Sequence, residues 1–427
     1  MIDIKLVREE PDRVRASQVA RGEDPGIVDA ILAADAWRRE SLRQFEEKRA
    51  IQKANSTLIA RGQVEDKAIA LAQAKELATE VKDLQRAVER ADAEQAGLAR
   101  RLGNVIIDGV PAGGEEDFRV LETVGVPRDF AAEGFEPLDH VALGEALDLI
   151  DIERGSRVAG SRFYYLKGDG ARLETAIMML CQQIAWEEGH TALAVPNLVK
   201  EQTMAGAGFL DSHADEVYYL PADELYLTGT SEVALAGYHL GEIIDLSGGP
   251  LRYTATSTCY RREAGSHGKD TRGIFRTHQF QKTEMFVYCA PEEAEAEHER
   301  LLRIERRILD AAEIPYRVID VAAGDLGGPA ARKFDCEGWV PTQQRYRELT
   351  STSNCTTFQA RRLGIRERLA ADAGGGTRVV ATLNGTMATT RWIVSQLENH
   401  QQADGSVRIP MALQPFMGGQ HELKPVR

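Results

Sequence analysis

The sequence predicts an α+β protein: an N-terminal antiparallel α-helical coiled-coil hairpin, then a larger domain built on an antiparallel β-sheet flanked by helices. Three observations carry that prediction. Residues 28–104 contain no proline, and their second half repeats apolar positions every 3.5 residues. A segment mixing glycine, proline and acids, "IIDGVPAGGEEDF" (106–118), then breaks the pattern. Beyond it, short β-type runs and helical stretches follow one another in no βαβ rhythm.

The chain of 427 residues is long enough for two or three domains with a large core. Its 43% hydrophobic and 28% charged residues are those of an ordinary soluble globular protein. No apolar run reaches the roughly 18 residues of a membrane span. The first residues, "MIDIKLVREEPDRVRAS", lack an apolar signal core, so a cytoplasmic protein is expected. The five cysteines (Cys181, Cys259, Cys289, Cys336, Cys355) include no CxxC pair and predict reduced, buried thiols. A net charge of -14 argues against non-specific nucleic-acid binding as the main activity.

In the hairpin, Leu77, Val81, Leu84, Val88, Ala91, Gln95, Leu98 and Leu102 alternate steps of four and three, the seam of a coiled coil. The first half repeats more loosely through Val28, Ile31, Leu42, Phe45 and Ile59, and Asp35 and Arg38 interrupt it. "ARGQ" (60–63) is the turn signal, so the two helices fold back antiparallel. About 38 residues per helix predict an arm of roughly 55–60 Å. Residues 38–102 carry 14 Lys/Arg against 11 Asp/Glu, which leaves the rest of the chain at -17. Two readings fit: a long-range probe for a polyanion, or helices that are merely charged outside, or that dimerise. The predicted domains are 1–105, a linker at 106–120, and 121–427.

In the body, "LETAIMMLCQQIAWEEG" (173–189) reads as a helix. "TALAVPNLV", "ELYLTG", "LRYTATSTCYRRE", "HQFQKTEMFVYC", "YRVIDVAAG", "QRYRELTSTSN" and "TRVVATLNG" read as strands. Side chains alternate faces along a strand. Phe280, Lys282, Glu284 and Phe286 therefore share one face, as do Arg261 with Glu263 and Thr230 with Glu232. Cross-strand ion pairs on a solvated sheet would give the same parity, but three such sets, two of them joined by a basic loop, point to a site. That loop, "AGSHGKDTRGIF" (264–275), is too long for a tight hairpin, and its glycines with His267, Lys269 and Arg272 suit contact with a phosphate backbone. There is neither a Walker A loop nor a dinucleotide-binding GxGxxG.

"YRREAGSHGKDTRGIFRTHQFQKTEMF" resembles motif 2 of the class II aminoacyl-tRNA synthetases, specifically of the seryl-tRNA synthetase family, bacterial type. The resemblance spans nearly the whole chain. The hairpin is similar to that family's tRNA-binding arm, and "AVPNLVKEQTMAGAGFL" (194–210) to motif 1, with Pro196 in the dimer-forming segment. "LTGTSE" carries the seryl Thr-x-Glu signature. "RELTSTSN" (347–354) and "ATLNGTMATTRWIVSQLEN" (381–399) match the segments through motif 3. The resemblance implies a class II catalytic domain that joins L-serine to tRNA(Ser) through a seryl-adenylate, with ATP as substrate and Mg2+ as cofactor.

The resemblance also assigns roles. Arg261, Arg391 and Glu348 are the implied catalytic residues. Arg261 contacts the α-phosphate, where transition-state charge gathers. The ATP site takes Arg261, Arg262, Glu263, Thr277, Phe280, Glu348, Leu349, Thr350, Ser351 and Arg391. Phe280 stacks under adenine, the Thr277 backbone reads its edge, and Arg391 covers the opposite face and reaches the γ-phosphate. Glu348 and Ser351 hold Mg2+ as hard oxygen ligands. These two lie on opposite faces of an ideal strand, so a bulge or strand end near Thr350 is required. Glu232 receives the serine ammonium. Glu284 and Thr386 read the hydroxyl, and Thr230 and Ser231 close the pocket. Lys282 neutralises charge between the two acids or at the α-carboxylate. His278 is read as a strand residue satisfied locally, and His267, like it, is not a base.

Two features depart from the family. Motif 3 there carries glycine before its arginine, where this chain has Thr390, and the linker differs from the commoner Pro-Asn form. The implied partners are tRNA(Ser), the selenocysteine tRNA, tRNA(Sec), where an organism has one, and a second copy of the chain in a homodimer. Each arm is then expected to reach tRNA held at the other subunit's active site. The alternatives are a class II-like amino acid ligase with another acceptor, and a catalytically silent RNA-binding paralogue.

Overall fold

A computed structural model describes residues 1–211, 214–264, 270, 272–369 and 375–426. The chain forms two compact units, Met1–Val105 and Ile106–Arg427. The basic loop residues 265–269 and 271, where phosphate contact was expected, lie outside the described residues.

In the first unit two long helices, α1 (Gly26–Ala60) and α2 (Lys67–Arg100), pack against each other. At 35 and 34 residues they are about 50–53 Å long, shorter than predicted, because the turn takes six residues and the second helix stops at Arg100. Gly62 turns the chain at φ +68°, a left-handed conformation glycine adopts without cost. Asp66 then caps α2, its Oδ1 accepting from Ala68 N at 2.8 Å and Ile69 N at 3.2 Å. Val81 and Ala91 are buried on the seam. The interruption at Asp35 is a buried polar joint. Its carboxylate accepts from Arg8 Nε at 2.7 Å and Nη2 at 2.6 Å, Arg39 Nε at 3.0 Å and Gln95 Nε2 at 2.7 Å. Gln95, an oddity in the heptad of α2, is thereby explained.

The second unit is organised by eight strands: β1 (Arg119–Val124), β2 (Thr191–Ala192), β3 (Leu251–Tyr260), β4 (Gln279–Cys289), β5 (Tyr316–Asp320), β6 (Arg332–Val340), β7 (Arg345–Asn354) and β8 (Ala381–Thr389). Their order is β1-β5-β6-β7-β8-β4-β3-β2. Every pairing is antiparallel except that of the edge strand β2 with β3. The predicted strand 191–199 is broken, pairing at 191–192 and again at Leu198–Lys200 in a small separate sheet. Helices Asp169–Glu187, Ala294–Ala311 and Trp392–His400 cover one face, where Met285 and Val287 of β4 pack with Ile177, Leu301 and Trp392. On the opposite face Phe286 and Tyr288 pack with Val233, Ala360 and Leu363 from two short helices. Lys282 and Glu284 share the face of Phe286, as parity predicts, but lie beyond that cover. The five cysteines are buried, as predicted.

The bulge demanded by Glu348 and Ser351 exists. Cys336 pairs with Thr350 and Glu337 with Glu348, so Leu349 is the extra residue in β7. The shift turns Leu349 and Thr350 together toward the helical face, where Leu349 enters the core and Thr350 Oγ1 donates to Glu305 Oε2 at 2.8 Å. It leaves both Glu348 and Ser351 on the other side. Gly338 across the ladder makes room for the bulge, since a Cβ there would lie 2.4 Å from Leu349 Cδ1.

Candidate active site

The uncovered part of the sheet forms the floor of a cavity of about 450 Å³, lined by polar and charged groups from several elements. Lys282 comes from β4, Glu348, Ser351 and Ser353 from β7, and Asn384 and Thr386 from β8. Thr230 and Glu232 enter from one side, Arg261, Glu263 and Arg276 from another. A narrower recess of about 60 Å³ continues from it, lined by Phe275, Thr277, Phe280, Leu349 and Arg391 among others. Arg261, Glu263, Arg276, Lys282, Glu348 and Thr386 line both, so the two spaces form one trough.

Two residue sets predicted from strand alternation line the cavity, but neither does so from a strand. "TGTSE" is not a strand: Ser231–Ala236 is a short helix with Thr230 as its N-cap, Oγ1 accepting from Glu232 N at 3.3 Å. The Thr-Ser-x-x preference for a cap outweighs strand alternation here. β3 ends at Tyr260, and Glu263 turns back with φ +51°, so Arg261 and Glu263 meet the cavity from a loop.

At the deep end one lysine sits among acids and hydroxyls. Lys282 Nζ lies 2.8 Å from Glu284 Oε2 and donates to Thr230 Oγ1 at 2.9 Å. Thr386 Oγ1 donates to the same Glu284 oxygen at 3.2 Å. Glu232 Oε1 accepts from Gln359 Nε2 at 2.7 Å and Asn384 Nδ2 at 3.1 Å. Burial, then the nearby Glu284 charge, push Glu232 up to about 7 against the pull of Lys282. Glu284 is also raised by burial, with Lys282 and Thr386 opposing. Two carboxyls facing one ammonium leave room for a second cation.

At the other end the positive charge gathers. Arg261 Nε donates to the Gly229 carbonyl at 3.2 Å, and its guanidinium carbon lies 5.4 Å from the Phe280 ring centre. Arg391 Nη1 donates to the Glu348 carbonyl at 2.9 Å and Nε to the Phe275 carbonyl at 3.3 Å. Burial alone would raise Glu348, but Lys333, Arg391, Arg261 and Lys282 outweigh it and hold the carboxyl below its ordinary range. An ionised Glu348 beside Ser351 is a hard-oxygen pair, suited to Mg2+ shared with phosphate oxygens and water. Among the described residues no group of three or more His, Cys, Asp or Glu could hold a metal by itself.

Not every predicted residue meets the trough. The Arg262 guanidinium is exposed and lies over the Tyr218 ring at 5.7 Å. Ser231 Oγ meets Ser257 Oγ at 2.7 Å, away from the lining. Thr350 faces the helices, turned there by the bulge. His278 is satisfied locally, Nδ1 lying 3.0 Å from the Arg261 carbonyl. Four groups escaped sequence reasoning. Asn384 shares its strand face with Thr386, and that parity could have found it. Arg276 bridges Glu263 and Asp270 at 3.3 Å each. Gln359 lies on a helix remote in sequence, with nothing local to mark it. Lys333, paired with Asp335 at 3.2 Å, lines the cavity and reads in sequence as an ordinary strand cation.

Comparison with known proteins agrees with this architecture. Residues 1–106 match the seryl-tRNA synthetase N-terminal domain, and residues 219–400 the class II tRNA synthetase core domain (G, H, P, S and T). The serine–tRNA ligase of Kocuria rhizophila is 61% identical over 100% of both chains, and that of Nocardia farcinica 60% over 98% of both. Among solved structures, a Pyrococcus horikoshii seryl-tRNA synthetase complexed with ATP superposes with a TM-score of 0.93 at 36% identity, covering 100% of both chains. A Naegleria fowleri cytoplasmic serine–tRNA ligase in complex with AMP gives 0.89 at 30% identity, covering 100% of this chain and 99% of that one.

Proposed function

Since the chain belongs to the seryl-tRNA synthetase family, we propose that it joins L-serine to tRNA(Ser), using ATP, through an enzyme-bound seryl-adenylate. The observation that carries the reading is the pairing of Glu232 and Glu284 around Lys282 at one end of a trough whose other end holds Arg261 and Arg391. Glu232 receives the serine ammonium. Glu284 and Thr386 take its hydroxyl, and an analogue lacking that hydroxyl forfeits both contacts. Thr230 closes the pocket. Phe280 stacks under adenine with Thr277 at its edge, and Arg391 covers the other face.

A serine carboxylate oxygen attacks the α-phosphorus in line. The bond to the bridging oxygen breaks, and pyrophosphate leaves with the electron pair. Arg261 stabilises charge on the α-phosphate as the transition state forms, and positioning supplies much of the remaining rate. Glu348 and Ser351 would hold Mg2+, which would supply charge neutralisation for the leaving group. A terminal ribose hydroxyl of tRNA then takes the seryl group and releases AMP. The chain works as a cytoplasmic homodimer, and tRNA(Sec) is a second acceptor where the organism has one.

The test is amino-acid-dependent ATP–pyrophosphate exchange without tRNA, with serine, threonine, alanine, glycine and none, on protein whose mass by light scattering is twice the chain's. Exchange with serine alone is expected. Exchange with another amino acid would keep the fold and overturn the substrate. No exchange from folded protein would put a silent RNA-binding role in its place.

A further inference from the structure

Thr390 joins β8 to the helix that begins at Trp392, and Arg391 follows it directly. Only 1% of its surface is exposed. Its hydroxyl is committed in two directions: Oγ1 accepts the Gln281 backbone N–H at 2.9 Å and donates to Glu174 Oε1. The backbone adds a third link, Thr390 N–H to Gln281 O at 3.0 Å. Glu174, on the helix Asp169–Glu187, is itself largely buried, and burial raises its pKa while the Thr390 bond opposes. Tyr164 lies close to the same group, near Thr390, Thr277 and Glu174.

The neighbours of Thr390 and Gln281 in sequence line the nucleotide recess. Gln281 lies between Phe280 and Lys282, Thr277 lines the recess, and Arg391 spans it to the carbonyls of Glu348 and Phe275. Glycine at 390 would keep the backbone link but leave the Gln281 N–H without this acceptor and Glu174 without this donor. We propose that Thr390, anchored by Glu174 and the Gln281 backbone, is a positioning residue that fixes Arg391 relative to the Phe280 strand and so sets the gap in which adenine is held. The inference deepens the ATP-site reading and rests on it.

The test separates the two substrates in pyrophosphate exchange. Thr390→Val keeps the shape and removes the hydroxyl. It should raise KM for ATP about tenfold, the effect of losing one buried hydrogen bond of about 1.4 kcal/mol, and leave KM for serine within about twofold. Thr390→Ser should restore KM for ATP to within about twofold. Glu174→Leu removes the same bond from its other end and should reproduce Thr390→Val, while Glu174→Gln, which keeps an acceptor, should not. An unchanged KM for ATP in Thr390→Val overturns the proposal, as does a parallel change in both KM values and in kcat. If Thr390→Val does not fold, equal KM for ATP in the two Glu174 variants overturns it. A wild type that fails to exchange with serine refutes the functional reading instead, and this inference with it.

Discussion

Replacing Glu232 by glutamine should destroy activity while making the free protein more stable at alkaline pH. Burial and then Glu284 raise the Glu232 carboxyl from 4.5 to about 7. Between those values the folded state binds more protons than the unfolded one, so stability falls as pH rises. Above about pH 7 the ionised, buried carboxylate costs the fold on the order of 3 kcal/mol, about 2.5 pKa units at 1.36 kcal/mol each. Glutamine removes the charge yet keeps an oxygen to accept from Gln359 and Asn384, and relieves Glu284 of a like charge. Thermal or urea unfolding of both proteins should show near-equal stability at about pH 5 and a variant more stable by about 2–3 kcal/mol at about pH 8. Saturating serine should narrow that gap, because an ammonium beside Glu232 compensates the charge only in the wild type. Serine-dependent exchange should fall at least about 100-fold, the loss of one charge-assisted hydrogen bond of about 3 kcal/mol. A stability difference independent of pH, or a variant less stable at about pH 8, would refute the reasoning.

The hairpin supplies the opposite sign of pH dependence. Hydrogen bonds from Arg8, opposed by burial, lower the Asp35 carboxyl, so its stabilisation is present above the ordinary carboxylate range and lost as pH falls through the lowered value. Asp35→Asn leaves the half-exposed Arg8 and Arg39 without their carboxylate and should weaken residues 26–100 by about 1–2 kcal/mol at neutral pH, read as faster hydrogen exchange confined to that segment, with pyrophosphate exchange unchanged. Protection equal to wild type would make the joint ornamental. Deleting residues 38–102 should abolish aminoacylation of tRNA and leave adenylate formation largely intact, and loss of both activities would contradict that division of labour.

The seam of the second long helix and the acid–lysine face of β4 were legible in the sequence because each follows from a local period, 3.5 along the hairpin and 2 along a strand, whereas Arg261 and Glu263 stand on a loop that no period describes. Even the need for a bulge could be deduced, from two oxygen ligands at the wrong parity. Its location at Leu349 could not, because it depends on Gly338 in the neighbouring strand. Parity also misassigned "TGTSE", where capping chemistry makes a helix of what alternation reads as a strand. Gln359 holds Glu232 from a helix 127 residues away, and Gln95 meets Asp35 across 60 residues. Thr390, odd as sequence, is accounted for by Glu174, 216 residues distant. The sequence determined the periods, the residue types and hence the class of chemistry. Only the tertiary structure decided which buried charge meets which partner, because those pairings are set by strand order and helix packing across separations that leave no local trace.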